Sequence, residues 1–196
     1  MPFHLPKSWF ANRPLARHFI LASIGLASWI PVMIIIKNNV VKVASISGPS
    51  MYPYLNSNYN TSLQKDQVLL SMWKPWQNIQ RGQLIAFWAP HDPEKVVVKR
   101  VIALEGDEIT TRAPYPVAKE IIPSGYVWVE GDVQDRHKSL DSNTYGPISK
   151  SLIVGQLRAI VWPWSQMAWL DPRHYSGSLR VREAAHPVEK AKMFLE

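Results

Sequence analysis

The chain has 196 residues, 46% of them hydrophobic and none of them cysteine, and carries a formal charge of +7. That length suits one ordinary domain with a short appendage, and the lack of cysteine excludes a disulfide framework, a thiolate nucleophile and a Cys-ligated metal site. The charge is not a nucleic-acid footprint: Lys7, Arg13, Arg17, Lys37, Lys42 and Lys65 precede every acidic residue, while residues 66 to 196 hold 16 basic against 15 acidic side chains.

Residues 1–18 form a basic, acid-free segment containing Ser and Arg, a composition that suits a mitochondrial address. Residues 19–36, "FILASIGLASWIPVMIII", carry no charge. As a helix they would extend about 27 Å, close to the hydrocarbon thickness of a bilayer. Pro31 is expected as a tolerated kink, and "MIIIKNN" offers no small-residue cleavage site. The reading is a retained single-span anchor. Lys7, Arg13 and Arg17 before the span outnumber Lys37 and Lys42 after it, which puts the N-terminus on the matrix or cytoplasmic side and the rest of the chain across the membrane.

Beyond the anchor, residues 37–170 read as a mostly β domain. Short runs rich in Val, Ile and Trp, namely "VVKVASIS", "QVLLSMW", "QLIAFWAP", "KVVVKRVIALEG", "YVWVEGD" and "LIVGQLRAIVW", are punctuated by Gly, Pro, Asn and Asp. Residues 171–196 turn polar and are expected to lie outside the core, with "VEKAKMFL" the only stretch of helical period after residue 40.

Three segments carry chemistry. In "SISGPSMYPYL", Gly48, Pro49 and Pro53 restrict the backbone around Ser50 to a turn, a way of presenting a hydroxyl outward at a strand end. The same tripeptide is common in ordinary loops, and a serine nucleophile needs a base. No G-x-S-x-G elbow is present. In "KVVVKRVIALEGD", strand alternation puts Lys99 on the apolar face with Val97 and Val101 and sends Arg100 to the other. Burial there lowers the amine's pKa, making it a candidate base; taken alone, the segment better suits an edge-strand charge set against aggregation. The third segment, "EGDVQDRHKSLDSNTYGP", reads alone as a surface loop. A His-based alternative would use His91 or His137 with Asp92, Asp135 or Asp141, but both histidines sit among turn formers and charges where a solvated role fits better.

Together and in this order, "SGPSMYPYL", "VVKRVIALEGD" and "EGDVQDRHKSLDSNTYGP" resemble the type I signal peptidase family, most closely its mitochondrial inner-membrane branch. The resemblance implies a signal-peptidase-like β-rich catalytic domain with one N-terminal transmembrane helix, and a Ser/Lys endopeptidase needing no cofactor or metal. Ser50 matches the nucleophile and Lys99 the general base. Ser139 matches the serine that hydrogen-bonds the lysine, and Asp141 the acid bracing that loop. Ile46, Met51, Leu55 and Val98 match the pocket for the residue before the cut.

The implied partners are precursor polypeptides with small residues before the cleavage site, the mitochondrial inner membrane, and a subunit 1 in a hetero-oligomer. The implied location of the catalytic domain is the intermembrane space. A non-catalytic subunit stabilising a partner peptidase is the alternative. Departures from the family pattern are Gly48 where some relatives carry a serine donor to the oxyanion hole, Asn143 in place of an arginine, and Val133 in place of an asparagine.

Overall fold

The computed structural model describes residues 14–59, 64–133, 135, 139–172 and 179–184. The chain divides into two compact units, residues 1–40 and 41–196. His137, most of the basic N-terminal segment and the stretch "VEKAKMFL" lie outside the described residues.

The first unit is helical: α1 (Pro14–Ser28) is followed after Trp29 by α2 (Ile30–Asn39). Pro31, near the start of α2, has no N–H to donate, which accounts for the break. The Ser23 and Ser28 hydroxyls donate back to the Phe19 and Gly25 carbonyls, so these two polar groups are satisfied within an apolar helix. Across the break, His18–Lys37 gives twenty residues long and apolar enough to cross a membrane, none of that window being buried.

The second unit is mostly β. Its strands are β1 (Val41–Ser45), β2 (Gln67–Ser71), β3 (Leu84–Ala89), β4 (Asp92–Ala103), β5 (Glu108–Thr110), β6 (Lys119–Ile121), β7 (Tyr126–Glu130), β8 (Ile148–Ser149), β9 (Ile153–Trp162), β10 (Ala168–Trp169) and β11 (Val181–Arg182). The larger sheet is ordered β1-β2-β9-β3-β4-β7-β8 with β10 on β9, and the smaller β11-β5-β6. All its pairings are antiparallel.

Strand period 2 explains why β3 is apolar at nearly every position. Leu84 and Ala86 enter one core cluster with Ile46, Met51, Leu55 and Leu157. Ile85 and Phe87 enter another with Val101, Val127, Val129 and Ile148. A third cluster, Ile102, Ala103, Ile109, Ile122 and Trp128, joins residues of both sheets.

Two features differ from the sequence reading. Residues 179–184, expected outside the core, supply β11, and Val181 packs on the third cluster. The loop segment "DSNTYGP" contains a one-turn helix, α3 (Ser142–Tyr145), capped by the Asp141 carboxylate through the Asn143 N–H. Neither shows in hydrophobic periodicity, because a two-residue strand and a single helical turn are too short to display one.

Candidate active site

The loop carrying Ser50 leaves β1 and turns sharply. Gly48 adopts φ +92°, a conformation that suits glycine, and the Tyr52 N–H donates to the Pro49 carbonyl, closing the turn around Ser50 and Met51. Asn56 pins this loop from beneath. Its amide donates to the Ile46 carbonyl (3.1 Å) and the Gly48 carbonyl (3.3 Å), and its Oδ1 accepts from the Asp66 N–H (2.9 Å). The Asp66 carboxylate accepts from the Asn56 N–H at 2.7 Å. Both side chains are buried. Sequence reading passed over them, since lone Asn and Asp residues among turn formers give no distinguishing signal.

Lys99 stands on β4 opposite Ile85 of β3. It is not an edge-strand charge: it is 3% exposed, and β7 joins β4 at the next residue, Arg100. Burial in this apolar wall pushes its pKa from 10.5 down to about 8, against the opposing fields of Asp141 and Asp132 and with help from Lys95. Lys99 Nζ donates to Ser139 Oγ at 2.8 Å. Arg100 diverges as expected, forming a paired hydrogen bond with Asp132 and stacking 4.4 Å from the Tyr54 ring centroid.

Gly131 ties the segments together. A Cβ there would collide with Ser139 Oγ and lie 2.6 Å from the Ser50 carbonyl oxygen, so only glycine lets the three approach. The Val133 N–H donates to that same Ser50 carbonyl at 3.3 Å, a backbone contact that any residue but proline could make. Asp141 accepts from the Gly131 N–H (3.3 Å), the Asn143 N–H (3.0 Å) and the Asn143 amide (3.1 Å). Asn143 also donates to Glu130 at 3.0 Å. The bridge that an arginine would make locally is thus made by an amide linking two carboxylates.

A cleft of about 590 Å³ is lined by Ser50 and Lys99 together, with Ile46, Met51 and Val98 on its apolar wall and Ser45, Val96 and Leu140 beside them. Leu55 does not line it; fully buried, it packs with Ile46 and Met51 in the core. Lys95 and His91 stand at its margin and are exposed, and the His91 ring stacks on Tyr145, centroids 6.1 Å apart. Among the described residues no cluster of three or more His, Asp or Glu side chains could hold a metal ion. A polar hydroxyl, an amine of lowered pKa and an apolar trough are the elements of nucleophilic acyl transfer on a peptide.

Comparison with known proteins finds peptidases. The family model described as "Signal peptidase, peptidase S26" matches residues 17–115, a range including Ser50 and Lys99. Mitochondrial inner membrane protease subunit 2 of Saccharomyces cerevisiae is 43% identical over 153 residues, covering 77% of this chain and 85% of that protein. Its Schizosaccharomyces pombe counterpart is 38% identical over 160 residues, covering 82% and 86%. Mitochondrial inner membrane protease subunit 1 of Mus musculus is 36% identical over 132 residues, covering 65% and 74%.

Proposed function

Since this chain belongs to the signal peptidase (peptidase S26) family, and within it to the mitochondrial inner membrane protease subunit 2 group, we propose that it is a membrane-anchored serine endopeptidase. Its role is to remove sorting presequences from proteins delivered to the inner membrane and the intermembrane space. The observation that carries the reading is Lys99: a buried amine with its pKa brought down to about 8, hydrogen-bonded to Ser139, in the wall of the cleft that Ser50 also lines.

In the proposed reaction the neutral Lys99 amine takes the Ser50 hydroxyl proton as Oγ attacks the scissile carbonyl carbon. The resulting oxyanion is met by the Ser50 N–H, Gly48 offering no side-chain donor. The Lys99 ammonium then protonates the leaving amine as the C–N bond breaks; the regenerated Lys99 amine takes a proton from the water that attacks the acyl carbon and gives it to Ser50 Oγ as the ester bond breaks. Ser139 orients the base. The precursor lies extended between the β1 end (Ala44–Ile46) and the Lys95–Val98 stretch of β4, both of which line the cleft. Backbone pairing gives affinity, and the apolar wall selects small side chains before the cut.

The test is processing of candidate precursors in isolated mitochondria by wild type and Ser50→Ala at equal abundance. Loss of processing with Ser50→Ala is expected. Unchanged processing would favour the non-catalytic subunit, which stabilises a partner resembling subunit 1.

A further inference from the structure

Glu130 is the last residue of β7, immediately before Gly131, and is 5% exposed. A carboxylate so placed needs compensation, because burial alone opposes its charge. It has four donors or cations around it. Trp128 Nε1 donates at 3.0 Å and the Asn143 amide at 3.0 Å. Arg180 Nη2 donates at 2.6 Å, and Arg112 Nη1 stands 3.7 Å away. Burial pushes the Glu130 pKa up, but the Trp128, Arg180 and Asn143 hydrogen bonds and the Arg180 charge outweigh it and hold the pKa below its ordinary value.

Arg180 comes from beside β11, far from the site in sequence. It is itself fixed to β5: its Nη1 donates to the Thr110 carbonyl at 3.0 Å and its own carbonyl accepts from the Thr110 N–H at 2.8 Å. From its guanidinium a chain of hydrogen bonds runs to the Gly131 N–H, and Gly131 packs against Ser139, the hydrogen-bond partner of Lys99. Glu130 holds the Asn143 amide, that amide holds Asp141, Asp141 takes the Gly131 N–H, and Gly131 lies against Ser139 and the Ser50 carbonyl. Asp141 is also the strongest charge holding up the Lys99 pKa.

We infer that Arg180 is a positioning residue for the Ser50–Lys99 reaction, clamping Glu130 so that Asn143 and Asp141 hold the Ser139 loop in register with Lys99. It makes residues 179–184 part of the catalytic apparatus although Arg180 touches no reacting atom. The inference rests on the peptidase reading above.

The experiment compares wild type, Ser50→Ala, Arg180→Gln, Arg180→Lys, Glu130→Gln and the double variant Arg180→Gln/Glu130→Gln. Each is the full-length chain in its membrane, assayed on one precursor across pH. For Arg180→Gln we expect kcat to fall about tenfold to a hundredfold with KM nearly unchanged. The acid limb of the pH profile should move to lower pH as the field of Asp141 on Lys99 weakens, and Arg180→Lys should recover most of the loss. In the Glu130→Gln background, whose neutral amide needs no cation, Arg180→Gln should have little further effect; this arm is readable even where Arg180→Gln alone does not accumulate. Wild-type kcat and pH profile in Arg180→Gln, or an equal loss from Arg180→Gln in both backgrounds, would overturn the inference. Activity surviving in Ser50→Ala would instead overturn the peptidase reading on which it stands.

Discussion

Ile85 opposite Lys99, with Val101 fully buried and Val97 partly so in the same cluster, gives the amine an apolar wall that no water-exposed lysine has. A general base must be neutral to accept a proton, so the reactive fraction grows as pH rises through the pKa of about 8. Below that point kcat/KM should fall about tenfold per pH unit, and above it should level off. Lys99→Arg, protonated at every usable pH, should be inactive at all of them. A pH profile of precursor cleavage by both proteins checks this, and a profile flat between pH 6 and 9 (a range of about three units around that pKa) would remove Lys99 from the mechanism. Gly131 makes the second residue-scale prediction. Gly131→Ala would force a methyl group against Ser139 Oγ and the Ser50 carbonyl, and a displacement of that size should lower kcat about a hundredfold. Because β7 ends at Glu130, its thermal unfolding should change far less than its turnover; the two measured together distinguish a misplaced site from a misfolded protein.

Among the elements, the Ser50 loop from Ile46 to Asn56 depends most on a few bonds. Ile46, Met51 and Leu55 anchor it in the core, but its path between them is set by the reciprocal bonds of Asn56 and Asp66. Asn56→Ala removes three side-chain bonds at a buried position and keeps a positive φ of 54° that alanine disfavours. The expected cost is about 1 to 3 kcal/mol, read as a lowered denaturation midpoint, with a loss of cleavage beyond that explained by unfolding because the turn holding Ser50 is freed. Asn56→Gly would relieve the backbone strain without restoring the bonds. Recovery of full activity in the glycine variant would show that conformation, not the pins, sets the turn. β4 supports function differently. Its C-terminal half is held between β3 and β7, whereas Asp92–Val98 pairs with β3 alone among the described residues, leaving an edge for an extended substrate next to a rigidly held base.

For the whole molecule, the candidate span His18–Lys37 and the acid-free basic segment before it set the expected compartment. In mitochondria with a ruptured outer and intact inner membrane, added protease should digest the domain after Lys37 while an N-terminal tag stays protected. Alkaline carbonate should leave the chain in the membrane pellet. Protection of the C-terminal domain, or release of the full chain by carbonate, would contradict this orientation. Folding adds a second demand at this scale: β11 and Arg180 reach the site only if residues 179–184 dock on β5.

The sequence by itself determined a candidate membrane span, the β character of the domain, and Ser50, Lys99, Ser139 and Asp141 as candidates, because a charge-free run, period-2 alternation and an ordered set of short motifs are all written locally. It also determined that Lys99 and Arg100 diverge, which follows from strand geometry alone. Tertiary structure decided the rest. That Lys99 is buried rather than at an edge depends on β7, from further along the chain, closing on the side of β4 away from its hairpin partner β3. That Leu55 sits in the core behind the cleft depends on how the Ser50 loop folds over Leu84 and Leu157. Glu130, Asn56, Asp66 and the half-buried Arg180 were illegible for the same reason: each is defined by partners ten to fifty positions away, and only the packed fold removes the water that would otherwise satisfy them.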